Sequence, residues 1–188
     1  MEDWPSELKA MFSRQQEIWL RMGQLQNEVG KLVIASSDME NKLHLLFMAL
    51  TAPADEEPAL QVLNDQQSME KKTNLINLLV HMQCTNEEKA IWSTVHLTLK
   101  NTKFMRNYVA HQSAWISDHD TDAEIKVFLG PHSVAPKMDK LKEATADQIG
   151  LACNKLLQAR SEIMELIQAV GLRKGMLSQP VQAPCREP

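Results

Sequence analysis

Five polar side chains recur along one short segment of the chain in a spacing that suits acid–base and anion-binding chemistry. Lys100, Lys103, Asn107 and His111 follow one another at steps of three or four, and Arg106 lies beside them. In a helix such steps put side chains on one face. A histidine titrates near neutral pH and can give or take a proton. An arginine fork binds two oxygens of one phosphate, so the set suits metal-free cleavage of a phosphodiester.

The apolar residues of the same segment predict the helix that this polar face requires. Four apolar residues and two threonines recur every three or four positions and should form its buried stripe: Ile91, Val95, Thr98, Thr102, Met105 and Val109. Thr85-Asn-Glu-Glu88 is a capping-box pattern, in which the hydroxyl and the carboxylate satisfy amides at the helix start. The helix should therefore begin near Thr85 and run to about His111.

The first part of the chain predicts a long helix or a broken helix pair. After Pro5, apolar residues recur mostly at steps of three and four as far as Leu50. Gly23 or Gly30 could interrupt the run. The prolines of the segment 51–58 lack an amide donor and clash with a preceding helical turn, so this segment is predicted to be a loop.

The remaining elements are two further helices and an ambiguous insertion. One helix should span Ser68 to Met82. Another should open at the capping box Thr145-Ala-Asp-Gln148 and run to Gly171. Between the Thr85 and Thr145 helices, the β-prone run 124–129 fits either a short hairpin or a structured loop. The proline-rich tail after Gly175 is predicted to be disordered.

The segment Arg106-Asn-Tyr-Val-Ala-His111 resembles the Arg-Asn-x-x-x-His signature of the HEPN superfamily, which lies near the end of a late helix. Glu40-Asn-Lys-Leu43 is similar to a Glu-x-x-Leu motif in an early helix of many members. Lys71 or Lys72 is similar to a lysine that many members carry in the middle helix. The likeness covers roughly residues 28–170, and only the hexapeptide is specific. It implies an all-α, antiparallel bundle of four to five helices in one domain over 1–175. A short β-hairpin insertion would lie near 115–130, and 176–188 would form the tail.

The resemblance also implies a function. Many members are metal-independent endoribonucleases that cleave single-stranded RNA as homodimers, with two motifs facing each other across a cleft, in defence or toxin–antitoxin systems. Arg106 would hold the phosphate, His111 would act as acid or base, and Asn107 would orient them. Glu40 could pair with Arg106, and Lys103 and Tyr108 would support the site. No cofactor is implied, and a cognate antitoxin or regulatory protein is an expected partner.

Composition sets bounds on these expectations. The hydrophobic fraction of 44% is ordinary for a globular chain, and the net charge of −4 gives no bulk attraction for nucleic acid. Any RNA contact must therefore come from a locally basic surface. The three cysteines are isolated, which suggests neither a zinc ribbon nor a disulfide framework. No apolar run approaches the roughly 18 residues of a membrane span, so the cytoplasm is the expected location.

Two other interpretations of the motif stay open. Arg106, Asn107 and His111 could be the solvated side of an amphipathic helix, with His111 favoured by the carbonyl end of the helix dipole. Alternatively, a HEPN-like fold could lack catalysis and bind a nucleotide or a partner protein. The first of these alternatives needs no ligand, whereas the second needs a surface that fits one.

Other residues that could carry chemistry have simpler explanations. The run Asp118–Asp122 could bind a cation but lacks the glycine and distant glutamate of an EF-hand, so a polar turn is favoured. His44, His81 and His96 are predicted to be surface or half-buried helix residues. Three tryptophans could anchor helix packing, namely Trp4, Trp19 and Trp92. Trp115 could cap the core, which is favoured, or stack on a base.

Overall fold

The computed structural model describes residues 5–117, 125–130 and 143–177. The helices among them are α1 Ser6–Thr51, α2 Glu56–Asn64, α3 Met69–Gln83, α4 Asn86–His111 and α5 Ala146–Arg173. A small antiparallel sheet is formed by β1 Ser113–Ser117, β2 Lys126–Gly130 and β3 Ala144–Thr145. The predicted all-α bundle with a short β insertion is confirmed. The Asp118–Asp122 run and the tail from residue 178 lie outside the described residues.

The chain divides into two compact units, and neither is continuous in sequence. Unit 1 comprises Met1–Ser37 and Asn101–Leu157, and unit 2 comprises Asp38–Lys100 and Gln158–Pro188. Helices α1, α4 and α5 each contribute residues to both units. A single domain over residues 1–175 stays a prediction.

Helix α1 runs without interruption for 46 residues, so the long-helix alternative is correct and the break at Gly23 or Gly30 is not. A helical glycine costs about 1 kcal/mol relative to alanine, which neighbouring helix formers and tertiary packing can offset. A Cβ at either glycine would meet nothing within 4 Å, so neither position serves a close approach. The burial of apolar residues of α1 such as Leu25 and Leu32, which are almost completely buried, offsets the free-energy cost of the two glycines.

The predicted loop over residues 51–58 is too long, because helix α2 begins inside it at Glu56. The carboxylate of Asp55 accepts a hydrogen bond of 3.2 Å from the amide of Glu57 and caps this helix. Pro58 therefore lies in the first helical turn. Amides there have no partner within the helix, so a proline loses nothing at this position.

The other predicted helix starts are confirmed by their caps. Helix α3 begins after Ser68, whose side chain accepts an amide hydrogen bond. At the start of α4, the Thr85 amide donates to Glu88 over 2.9 Å, and the Glu88 amide donates to the Thr85 hydroxyl over 3.3 Å. Thr145 and Gln148 make the same reciprocal pair at α5, at 3.1 and 3.4 Å. Helix α4 ends at His111, as predicted.

The insertion in unit 1 is a hairpin rather than a loop. Strand β1 pairs antiparallel with β2, with Trp115 opposite Phe128, and β3 adds to the other edge of β2. The Trp115 ring packs over Gly130, where an added Cβ would lie 2.8 Å from its Cδ1 atom. Only a glycine fits beneath this ring. Trp115 remains 40% exposed, so it covers the sheet without entering the core.

In unit 2, Trp92 anchors the packing, as predicted. Its side chain is fully buried, and its indole nitrogen donates to the Asn77 side-chain oxygen over 2.9 Å. His96 stacks against it, with ring centroids 5.6 Å apart. Trp19 is 68% exposed, so its predicted anchoring role is wrong. The first turns of α1 are exposed on nearly every side, and burial of its apolar residues begins at Leu25.

Candidate active site

The predicted catalytic residues all belong to the last two turns of α4, in unit 1. Arg106, Asn107 and His111 are all exposed. Val109, in the middle of the motif, is only 9% exposed and faces the core. Of the predicted buried stripe, Val95, Thr102 and Val109 are buried, whereas Ile91, Thr98 and Met105 are half-buried. Lys103, one turn before Asn107, is exposed as well.

Arg106 and Asn107 contact each other directly. The guanidinium Nη1 donates to the Asn107 side-chain oxygen over 3.4 Å, which is a long hydrogen bond. In the described part of the chain, no carboxylate pairs with Arg106. The guanidinium keeps donors for an anion, while the amide restricts where it points.

His111 is the last residue of α4, at the carbonyl end of the helix dipole. Arg106 lies five positions earlier, which corresponds to about 140° around the axis and about 7.5 Å along it. One helix therefore presents the two side chains in different directions. They do not converge on a single point unless something else brings them together.

Tyr108 joins the motif to the sheet of unit 1. Its hydroxyl donates to the Leu129 carbonyl oxygen over 3.1 Å, and its ring lies 5.5 Å from that of Phe104. Burial raises the pKa of the Tyr108 hydroxyl above 10, and the negative charge of Glu143 raises it further. The hydroxyl therefore stays protonated near neutral pH. Its hydrogen bond connects the last turn of α4 to strand β2.

A groove of about 330 Å³ opens beside the motif in unit 1. Its walls are mostly apolar, with one carboxylate and one amide among them, and the lining residues are Phe104, Met105, Tyr108, Glu143, Ala144 and Gln148. This groove is not among the features predicted from the sequence. An available signal was the aromatic pair Phe104 and Tyr108, spaced by one helical turn on the motif helix.

The predicted supporting residue Glu40 belongs to unit 2, whereas Arg106 belongs to unit 1. Within unit 2, the Glu40 carboxylate pairs with the ammonium of Lys72 over 2.6 Å. Lys72, only 8% exposed, is one of the two lysines that the resemblance singled out, and Lys71 is exposed. Burial lowers the pKa of the neighbouring His44, and the charge of Lys72 lowers it further. A role of Glu40 towards Arg106 stays a prediction.

No three histidine, cysteine, aspartate or glutamate side chains among residues 5–117, 125–130 and 143–177 are grouped so that they could hold a metal ion. None of the helices in these ranges has both the length and the apolar character needed to cross a membrane.

Comparison with known proteins finds no relative of this chain. The chain matches no protein-family profile, no curated protein and no solved structure. Membership of the HEPN superfamily therefore rests on the motif itself and stays a proposal.

Proposed function

We propose that this protein is a metal-independent endoribonuclease of the HEPN type that cleaves single-stranded RNA. The observation that supports it is the exposed cluster of Arg106, Asn107 and His111 at the end of α4. The Arg106 guanidinium contacts the Asn107 side chain and pairs with no carboxylate of the described chain. An exposed arginine oriented by an amide, and an exposed histidine on the same helix, are the groups that phosphate chemistry at neutral pH needs.

The reaction follows from these two groups. His111 takes the proton from a ribose 2′-hydroxyl as general base while water protonates the departing 5′-oxygen, or it gives a proton to that oxygen as general acid while water takes the 2′-proton. The 2′-oxygen attacks phosphorus and the bond from phosphorus to the 5′-oxygen breaks. The products are a 2′,3′-cyclic phosphate and a 5′-hydroxyl. Arg106 neutralises the charge that develops on the non-bridging oxygens, and Asn107 restricts the guanidinium.

The proposal includes a homodimer, because one helix directs Arg106 and His111 about 140° apart. Two copies of α4 facing each other would bring the arginine of one copy to the histidine of the other. The pairing would also double the number of exposed cations, Lys103 and Arg106, along one groove. A local basic surface of this kind is needed in a chain whose net charge is −4.

The biological setting belongs to the same proposal. The resemblance implies a defence or toxin–antitoxin role, in which uncontrolled RNA cleavage would harm the host cell. A cognate antitoxin or regulatory protein would then be a partner of this chain.

The chemistry is tested with a single-stranded RNA and its fully 2′-O-methylated copy, each incubated with the protein in excess EDTA. The methyl group removes the attacking hydroxyl but preserves sequence and charge. We expect cleavage of the RNA alone, with products that end in a 2′,3′-cyclic phosphate. Equal cleavage of both oligonucleotides, products with a 3′-hydroxyl, or no cleavage would overturn the proposal.

A further inference from the structure

We infer that the groove lined by Phe104, Tyr108 and Glu143 binds one guanine base of the RNA, next to the phosphate that is cut. This inference rests on the proposed function and specifies its substrate. It arises from three features of unit 1: the groove lies along the helix that carries His111, it contains an exposed aromatic ring, and hydrogen-bonding side chains line it.

The first feature is placement. Phe104, Tyr108 and His111 succeed one another at steps of four and three along α4, so they lie on one side of the helix. Tyr108 and His111 are separated by a rise of only about 4.5 Å. A base held against the Tyr108 end of the groove therefore has its own sugar and phosphate close to the imidazole.

The second feature is the aromatic surface. Phe104 is 54% exposed, and its ring lies 5.5 Å from that of Tyr108, tilted by 33°. A large apolar ring open to water is a stacking platform for a base, because every base has a π-face. The groove volume of about 330 Å³ lies at the lower end of the range for small-molecule sites, which suits a single base.

The third feature is the polar rim. The Glu143 carboxylate is exposed and, when ionised, only accepts hydrogen bonds. The side-chain oxygen of Gln148 already accepts from the Thr145 amide over 3.1 Å, so its NH₂ group is directed to other acceptors. The lining of the groove therefore includes the two acceptor oxygens of one carboxylate and an amide that can donate.

Guanine is the base that this rim matches. Its Watson–Crick edge carries two adjacent donors, on N1 and N2, followed by the O6 acceptor. The carboxylate can take both donors while the amide gives to O6. Adenine and cytosine present one donor next to a ring-nitrogen acceptor, and uracil presents a donor between two acceptors. Each would turn a lone pair towards the carboxylate, at an energetic cost.

The test is the binding of four fluorescent 2′-O-methyl tetranucleotides that differ at one position, guanine, adenine, cytosine or uracil, measured by anisotropy. These ligands cannot be cut through the 2′-hydroxyl, so binding is measured apart from catalysis. We expect the guanine oligomer to bind about tenfold more tightly, as the gain of one well-matched polar pair predicts. Glu143→Gln should remove this preference. Phe104→Leu should weaken the binding of all four oligomers at least about fivefold, because it removes the stacking surface.

Two control variants test whether a change in binding comes from the groove or from a general change of charge or apolar surface area. Glu165→Gln removes a carboxylate from an exposed position of α5, and Phe12→Leu changes an exposed phenylalanine of α1. Both should bind all four oligomers as the wild type does. Circular dichroism should show that all four variants keep the helical content of the wild type, since each altered residue is exposed.

The outcomes also separate this inference from the proposed function. Equal affinity for the four oligomers, preference for another base, or an unchanged preference in Glu143→Gln would overturn the guanine site, even if the protein cuts RNA. A guanine preference that depends on Phe104 and Glu143, in a protein that cuts no RNA, would support the site and contradict the ribonuclease.

Discussion

The hydroxyl of Tyr108 donates a hydrogen bond of 3.1 Å to the carbonyl oxygen of Leu129, and this bond ties the last turn of α4 to strand β2. The motif helix ends at His111, three residues later, and the chain then enters β1, which pairs with β2. The end of the helix is therefore held at two points, by a side chain and by the strand that follows. Residues of a site fixed in this way keep their relative geometry.

Removal of that hydroxyl should loosen the end of α4. We expect Tyr108→Phe to lower the free energy of unfolding by about 0.5–1.5 kcal/mol, because a half-buried carbonyl oxygen loses its donor while the ring is kept. Urea denaturation followed by circular dichroism measures this change. An unaltered free energy of unfolding would show that the hydrogen bond does not stabilise the fold.

The ion pair between Glu40 and Lys72 should matter more than a surface pair. Lys72→Met keeps the stem but removes the ammonium, and leaves a half-buried carboxylate without this partner. Glu40 remains about a third exposed, so we expect a loss of about 1–3 kcal/mol, less than for a fully buried pair. Urea denaturation of Lys72→Met is compared with that of Lys42→Met, which breaks a 3.7 Å ion pair with Asp38. Lys42→Met should lower the free energy of unfolding by less than about 1 kcal/mol. Equal losses would contradict a special role for Lys72.

Because the pKa of Glu88 is lowered, we predict that the free energy of unfolding decreases in acid. Burial alone would raise the pKa of this carboxyl, but hydrogen bonds from the Arg173 guanidinium and the Thr85 amide outweigh it, so the pKa is lowered from 4.5. A carboxyl whose folded pKa lies below its unfolded value stabilises the fold above the unfolded pKa. That contribution is complete above about pH 4.5 and is lost as the pH falls through the folded pKa.

The measurement is urea denaturation at a series of pH values between about 3 and 7. The wild type should lose stability below pH 4.5, and Glu88→Gln should be less stable at neutral pH with a shallower decline in acid. Glu165→Gln, which changes an exposed carboxylate, should follow the wild type. If Glu88→Gln declined as steeply as the wild type, the Glu88–Arg173 pair would not be the cause.

Local features were predictable from the sequence because local rules determine them. The starts of α4 and α5 follow from reciprocal caps that span four residues, and the polar face of α4 follows from helical periodicity. Helix α2 was missed because Pro58 was taken as a helix breaker. A proline in a first turn has no helical amide partner to lose, so its position within the helix decides its effect.

Features that depend on distant residues were not predictable. Lys72 pairs with Glu40 across 32 positions, and no local pattern specifies which carboxylate a lysine meets. The groove beside the motif combines Phe104 and Tyr108 with Glu143 and Gln148, which lie at least 35 positions later in the chain. Trp19 was predicted to be an anchor from its residue type alone, whereas burial in α1 begins only at Leu25.

A composite site makes a prediction about mixtures. Arg106→Ala and His111→Ala should each be inactive alone, because each removes one of the two groups from both copies. After the two variants are denatured, mixed and refolded together, about half of the dimers should carry one intact pair and recover activity. Cleavage of a fluorescent RNA measures the recovery, with each variant refolded alone as control. No recovery in a mixture shown to contain hybrid dimers would contradict a site shared between copies.

The central claim, that His111 is a catalytic residue of a metal-independent ribonuclease, is tested most directly by RNA cleavage in excess EDTA by three proteins. These are the wild type, His111→Ala, and His81→Ala, which changes an exposed histidine of α3. We predict cleavage by the wild type and by His81→Ala, and a loss of at least about 100-fold in the folded His111→Ala protein, as expected when a general acid–base group is removed. Equal cleavage by all three proteins, or by none of them, would contradict the claim.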